Sequence, residues 1–404
     1  MDTYQQLRVL AEGLGVAGFG VTSAEPFNGV AETIKARREA GLGGKLQFTY
    51  KQPDVAADVR QSLAGAESIV VVSWSYMPAA GSPGAPAPGQ GRIARFATED
   101  HYRGLCDALT QIQQHLVAAG WKAEVLVDDD RLVDRAAAVR AGIGWWGKSS
   151  MVLDPRHGPW LLLGSVVTNA PLPVSEPMSR DCGTCDACIP ACPTGAIVAP
   201  GVLDASLCLA HWLQMPGTIP IELREAVGNR VYGCDDCLEA CPPGWKRLID
   251  VPEGLGQVDL LSLLAADDQA LLKTYDHFYI PRRRPRNLRR NAIVALANSS
   301  ALARSDGGSD ADGISQAIAV LAGYLGHPDG IYRSHAAWGL GRIGGPTAEG
   351  LLRYQAARER DESVATEIRS ARANLAKSST VRSTLHPGTD SADTGSIANE
   401  EGHR

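Results

Sequence analysis

Long apolar runs are missing from this chain of 404 residues. The longest, around residues 160–167, is far too short to cross a bilayer. The N-terminal stretch MDTYQQLRVLAEGLG is a polar amphipathic helix without the apolar core of a signal peptide. A membrane is therefore not expected as a partner, and the protein is expected in the cytoplasm. An excess of basic charge is missing as well. With 39 Lys+Arg against 45 Asp+Glu the net charge is −6, which excludes an overall basic nucleic-acid-coating surface. DNA is not an expected partner, and any nucleic-acid surface must be local. Cysteine is nearly absent outside one stretch: eight of the nine lie within residues 182–241. The ninth, Cys106, is most simply a core residue. Clustered C-x2-C pairs in an unsecreted chain argue against disulfides and for a metal or redox site. At 44% hydrophobic and 21% charged, the remainder is ordinary globular material. Its length allows two or three domains.

The cysteine stretch has a definite spacing. Cys182, Cys185, Cys188 and Cys192 form C-x2-C-x2-C-x3-C, followed by Pro193. Cys234, Cys237 and Cys241 repeat C-x2-C-x3-C before Pro242, with Cys208 as a distant fourth thiol. The first run is the ligand spacing of bacterial ferredoxins. In two-cluster ferredoxins the last cysteine of a run ligates the other cluster. This assigns Cys182, Cys185, Cys188 and Cys241 to one [4Fe–4S] cluster. The other takes Cys192, Cys208, Cys234 and Cys237. Paired C-x2-C motifs also build four-cysteine zinc sites, the alternative reading. Three cysteines at x2, x2 followed by x3-C-P are not usual zinc spacing.

Before the cysteines, helices and strands alternate. Helices are expected over 4–14, 30–40, 103–119 and 132–141, and strands over 68–75, 123–127 and 160–168. Residues 78–91, rich in Gly, Pro and Ala, read as a loop. The alternation gives an α/β or α+β domain over 1–170. The cysteine module occupies 171–250. Residues 251–377 are helical and alanine-rich from about Pro285. There Leu288-Arg-Arg-Asn-Ala292 recurs loosely as Tyr332-Arg-Ser-His-Ala336, an offset that suits a HEAT-type helical hairpin. A weaker third copy begins near Asp361. Residues 378–404 are rich in Ser, Thr, Gly and Asp and are expected to be a disordered tail.

Three further regions carry chemistry. The strand over 123–127 delivers Asp128, followed by Asp129, Asp130 and Arg131. Read from residues alone, a solvated turn of three aspartates is the plainer reading; a carboxylate facing a pocket is the other. Ala141-Gly-Ile-Gly-Trp-Trp-Gly147-Lys148 offers glycines for close backbone approach and one charge, although glycines also cap helices. Arg282, Arg283, Arg284, Arg286, Arg289 and Arg290 make a basic patch on an acidic protein. It reads as phosphate-binding, with a solvated helix start as the alternative.

In order, Val127-Asp128, Arg135-Ala-Ala-Ala, the Gly-Trp-Trp-Gly-Lys148 loop, the two cysteine runs with Gly233-Cys-Asp-Asp-Cys237, and Arg289-Arg-Asn-Ala292 resemble the epoxyqueuosine reductase family. The resemblance spans roughly residues 5 to 375. It implies reduction of the epoxide of epoxyqueuosine to the cyclopentene of queuosine. The substrate is the wobble base of tRNAs with GUN anticodons. The implied cofactors are base-off cobalamin and two [4Fe–4S] clusters, refilled by an electron donor. The N-terminal domain would be nitroreductase-like and hold the corrin. The HEAT-like helices would help bind tRNA through the arginine patch. Arg95, Phe96, Asp128, Gly147, Lys148 and Asp235 are the implied corrin contacts, and Asp128 is the implied proton donor.

The chemistry is consistent with that set. Removing an epoxide oxygen needs two electrons and an acid near the leaving oxygen. To hold its proton near neutral pH, Asp128 would need burial beside the corrin. Asp129-Asp130-Arg131 and Asp134-Arg135 stand where the family usually has Ser-Ala-Pro and Glu-Arg. The family's Arg-Tyr-Ala and Asp-Tyr-His appear here as Arg95-Phe96-Ala97 and His101-Tyr102-Arg103. Neither chain nor family has the D-x-H-x-x-G motif, so cobalt should have no histidine below it. Two rivals remain: a small-molecule reductase of the reductive dehalogenase type, and a two-cluster electron carrier.

Overall fold

The computed structural model describes residues 1–46, 48–77, 89–245, 254, 256–305 and 311–385. A four-stranded sheet organises the N-terminal part. Its strands are β1 (Gly18–Ser23), β2 (Ser68–Ser75), β4 (Ala123–Leu126) and β5 (Leu161–Thr168). They run in the order β1-β2-β5-β4, every pair antiparallel. The domain is therefore α+β. The strand SIVVVSWS is buried on both faces because helices cover both. Val70 and Val72 pack with Leu7 of α1 (Thr3–Gly13) and Leu105, Leu109 and Ile112 of α2 (His101–Ala118). Ile69 and Val71 pack oppositely, with Ala137 and Ala138 of α3 (Asp134–Arg140). This is the period-two alternation of a central strand. Aspartates start the first two helices: Asp2 accepts from the Gln5 N–H at 2.8 Å and Asp100 from that of Arg103 at 3.1 Å.

A second, three-stranded sheet stitches the chain together. Strand β3 (Gln90–Ile93) pairs in parallel with β6 (Arg230–Tyr232) and antiparallel with β7 (Gln257–Asp259). The expected loop over 78–91 is corrected here, since Gln90 and Gly91 already belong to β3; residues 78–88 lie outside the described residues. Gly91 is required: a Cβ there would stand 2.6 Å from Leu260 and 2.7 Å from Val231.

After the short helices Leu260–Ala265 and Asp268–Thr274 come α4 (Arg286–Ser305), α5 (Ala311–Leu325), α6 (Gly330–Ile343), α7 (Pro346–Ala356) and α8 (Glu362–Leu385). Helix α4 packs on α5 and α6, and also on β6 and the helices Leu209–Gln214 and Ile221–Val227 of the cysteine module. One apolar cluster runs through all of these, from Leu209 and Val231 to Leu296, Leu340 and Ile368. Helix α8 runs past residue 378, where the tail was expected to begin, and residues 386–404 lie outside the described residues. No described helix is long and apolar enough to cross a membrane.

Candidate active site

The cysteine runs meet because two one-turn helices, Cys188–Ala191 and Asp236–Glu239, pack against each other. The thiols fall into two groups of four. Burial raises the Cys188 thiol, and Cys182 and Cys185 raise it further. Burial pushes Cys241 up to about 11, with Cys182, Cys188 and Cys185 adding to it. In the second group burial raises Cys237, followed by the fields of Cys234, Cys208 and Cys192. Such sets favour thiolate only when a cationic centre sits between them. Among the described residues, no three His, Cys, Asp or Glu side chains are arranged to hold a single metal ion. A cubane, wider than one ion, fits thiols that gather at longer range.

The groups face different ways. Cys185 is exposed, so the first group reaches the surface. Lys148 stands beside it, donating from Nζ to the Gly183 carbonyl at 2.9 Å and lending positive charge to Cys188. Gly147 is required by its hairpin, since a Cβ would lie 3.0 Å from the Met151 carbonyl oxygen. The second group faces inward. Cys208 feels Arg135, and Cys237 feels Asp235.

Arg135 is exposed, yet surrounding protein desolvates it and lowers its pKa, as in a recess open to water. Asp134, Asp128, Tyr50 and Tyr102 act on it from the recess walls. Asp128 has φ 49°, a left-handed conformation that aspartate tolerates better than most residues. This turn, rather than the strand end, aims its carboxylate at Tyr102, whose hydroxyl donates to Oδ2 at 2.9 Å. Burial, and next the Asp128 charge, raise the Tyr102 pKa. Asp128 and Asp129 are thus distinguished. Asp129 is clamped by Arg131 at 2.8 and 2.6 Å, and Arg131 holds its carboxyl below the usual range. The expected burial of Asp128 is not supplied by the protein, which leaves that residue exposed to the recess.

Two walls of the recess hold unpartnered polar atoms. Oδ1 of Asp134 and Nε of Arg95 are buried without a partner among the described residues. Burial, and then Asp128, push the Asp134 pKa well up. Asp235 accepts from the Arg95 backbone N–H at 2.7 Å, and burial raises its pKa to about 6. Arg95 also donates to Glu239 at 2.9 Å. The Phe96 ring lies 6.0 Å from that of Tyr232, whose phenol is pushed up to about 12 by burial, with Asp128 contributing. Sequence reasoning assigned no role to Asp134, Tyr102 or Tyr232. The signal for Asp134 was a carboxylate in the first turn of an otherwise alanine-rich, buried helix.

The arginine patch is corrected. Arg290 is fully buried and donates to the carbonyls of Met215 (3.0 Å), Trp212 (2.7 Å) and Gly217, so it is unavailable to any phosphate. Arg289 pairs with Asp268 and donates to the Ala266 carbonyl at 2.6 Å, with only 11% of its side chain exposed. Arg286 is exposed but pairs with Asp329. Arg283 is turned back onto the carbonyls of Asp276 and Leu272. Arg282 and Arg284 are exposed and make no ion pair among the described residues.

A family described as a 4Fe-4S double cluster binding domain matches residues 181–244. The epoxyqueuosine reductase of Bacillus anthracis is 30% identical over 378 residues, which cover 90% of this chain and 95% of that protein. The epoxyqueuosine reductase of Vibrio cholerae is 33% identical over 304 residues, 71% of this chain and 80% of that protein. A crystal structure of epoxyqueuosine reductase with an epoxyqueuosine-modified tRNA-Tyr stem loop superposes with a TM-score of 0.82 at 28% identity, covering 93% of this chain and 100% of that one.

Proposed function

This chain belongs to the epoxyqueuosine reductase family, and from that premise we propose that it reduces epoxyqueuosine to queuosine at the wobble position of tRNA. The epoxide takes up two electrons and two protons, becomes the alkene and releases its oxygen as water. Cys182, Cys185, Cys188 and Cys241 would hold one [4Fe–4S] cluster, and Cys192, Cys208, Cys234 and Cys237 the other. Exposed Cys185 marks the first group as the entry for an external electron donor. The residues of the recess suit a corrin, whose rim carries amides that can meet Asp134 Oδ1 and Arg95 Nε. Phe96 and Asp235 line the same wall. Lys148 and Gly147, expected at the corrin, would instead serve the first cluster. Cobalamin, bound there base-off, would supply the low-valent cobalt chemistry that two-electron deoxygenation needs.

The chain's own residues do the rest. Tyr102 orients the Asp128 carboxyl, which delivers a proton to the leaving oxygen. Burial, and then the Asp128 charge, work against a second negative charge on Asp134 beside it. One observation carries this reading: the Tyr102 hydroxyl holds the exposed Asp128 carboxylate at 2.9 Å, in a chain 30% identical to an epoxyqueuosine reductase over 90% of its length. The first sheet with its helices is read as nitroreductase-like, and helices α4–α8 as HEAT-like repeats that bind tRNA. An anticodon loop with a GUN sequence presents the base unpaired, as entry into a recess requires. That substrate places the reaction in the cytoplasm. The test is to incubate the reconstituted, reduced protein and cobalamin with tRNA carrying epoxyqueuosine. Mass spectrometry of the digested nucleosides should show queuosine. Persistence of the epoxide would overturn the proposal.

A further inference from the structure

We infer that Tyr279 is a stacking platform for an unpaired anticodon base next to the wobble position, with Arg282 and Arg284 holding the phosphates beside it. The inference rests on the tRNA reading above and adds Tyr279, which the sequence did not single out, to two arginines that it did. Tyr279 is 67% exposed, yet it is not on a loose segment. Its backbone N–H donates to the Tyr232 hydroxyl at 3.0 Å, and that hydroxyl reaches back to the Tyr279 carbonyl at 3.4 Å. On one side Phe278 is buried and stacks on Tyr232 with centroids 4.1 Å apart. His277 contacts the Ala97 carbonyl through Nε2 at 3.0 Å. On the other side Ile280 is buried. The segment is clamped through the residues around the tyrosine, and one aromatic face is displayed to solvent.

The backbone beyond it is strained in a way that serves the same surface. Arg282 and Arg283 are consecutive non-glycine residues with φ 55° and 52°. Left-handed pairs of this kind persist only where their surroundings hold them. Here Arg283 supplies the hold, donating to the carbonyls of Asp276 at 3.2 Å and Leu272 at 3.1 Å. The turn then leaves Arg282 and Arg284 pointing to solvent. One exposed aromatic ring followed by two uncommitted guanidiniums is the combination by which proteins track single-stranded nucleic acid. The ring takes a base, and the cations take phosphates.

The location matches the reaction. Tyr232 bridges the platform and the candidate site: it is hydrogen-bonded to the Tyr279 N–H, and its ring lies 6.0 Å from that of Phe96, next to Arg95. A wobble base drawn in toward Asp128 abandons its neighbour in the loop stack. Tyr279, at the rim, offers that neighbour a replacement face. In a GUN anticodon the 3′ neighbour of the wobble base is always uridine, so one stacking platform can serve every substrate tRNA.

The test uses the full-length protein with its clusters and cobalamin. The probe is an anticodon stem-loop RNA with 2-aminopurine on either side of the wobble position in turn. Wild type should quench one of the two probes on binding. Tyr279→Ala should lose that quenching and bind about 5- to 150-fold more weakly, the span expected for one stacked base. Tyr279→Trp should retain both. Replacing Arg282 and Arg284 with Ala should lower the salt dependence of binding by about 0.7 log units per lost phosphate contact. Iron content and the visible spectrum serve as the folding check on every variant. Quenching and affinity in Tyr279→Ala equal to wild type would overturn the inference, as would loss in Tyr279→Trp equal to that in Tyr279→Ala. Failure of wild type to bind the stem-loop at all would instead overturn the tRNA reading, and this inference with it.

Discussion

Arg290 lies in the basic run and yet is predicted to be a structural residue, so replacing it with Ala should destabilise the protein rather than act on RNA binding directly. Its side chain has no exposed surface. It donates to the carbonyls of Met215 at 3.0 Å and Trp212 at 2.7 Å, to that of Gly217, and to Asn291 Oδ1 at 3.0 and 2.7 Å. Those carbonyls belong to the end of the helix Leu209–Gln214 and the turn after it, within the cysteine module. Arg290 therefore ties α4 to that module. The tie is made against a cost, since burial and then the neighbouring Arg224 lower its pKa to about 9. Truncation strands four acceptors, three carbonyls and Asn291 Oδ1. At about 1–3 kcal/mol for each unsatisfied group, partly relieved by water entering the space, the loss is about 3–6 kcal/mol. Whole domains are stable by only about 5–15 kcal/mol. The melting temperature should fall by roughly 6–24 °C. Arg282→Ala, at an exposed position, should change stability by less than about 0.5 kcal/mol. Calorimetry or circular dichroism melting of both variants decides. An Arg290→Ala protein that melts like wild type and loses only RNA affinity would refute the reasoning.

The remaining predictions concern the core and the thiols. His335 is buried, with Nε2 accepting from the Ile219 N–H at 3.2 Å and Nδ1 facing the Ile331 carbonyl at 2.7 Å, so its ring must be neutral. Burial, then Arg224 and Arg290, push its pKa well below normal. The unfolded chain binds a proton below about pH 6.5 that the folded chain refuses. Stability from this group is therefore full above that pH and falls below it, by up to about 1.4 kcal/mol per pH unit. Denaturant titrations should show wild type losing ground to His335→Gln between about pH 6.5 and 5; parallel profiles would contradict this. Anaerobic protein should hold about eight irons, and Cys192→Ala should perturb only the cluster that also uses Cys234 and Cys237. Loss of the Cys185 signal in electron paramagnetic resonance would sink the pairing.

The cysteine module was legible because the x2 and x3 spacings within each run are local, and the double-cluster family matches residues 181–244. Helices with strong period, such as the one beginning at His101, were legible to within about two residues, the usual uncertainty of a helix end. Strand β1 was not. Gly18-Phe-Gly-Val-Thr-Ser is short and glycine-bearing, and it becomes a strand only because it pairs with β2 from Gly18↔Ser73 to Ser23↔Ser68. Strand β3 was hidden for the same reason, its partners lying far along the chain. The arginines were misjudged as a group because charge alone does not tell which face of a helix is covered. Helix α4 is enclosed by β6, two helices of the cysteine module and α5 and α6, and Arg290 points into that enclosure. The neighbouring Leu288, Ala292 and Ile293 carried the hint. Asp128 was placed by a rule for parallel sheets, whereas this sheet is antiparallel and a left-handed turn aims the side chain.

The account's central claim is that the recess holding Asp128 protonates the oxygen removed from the wobble nucleoside. The direct measurement is single-turnover reduction of epoxyqueuosine-bearing tRNA by Asp128→Asn and Asp129→Asn proteins matched in iron, corrin and bound RNA. Loss of one oxygen from the nucleoside is followed by mass spectrometry. Asp129 is already committed to Arg131, so its variant should stay near the wild-type rate. Asp128→Asn should be slower by roughly 10²- to 10⁴-fold, the usual cost of deleting a general acid. Turnover of Asp128→Asn at close to the wild-type rate under saturating reductant would contradict the claim.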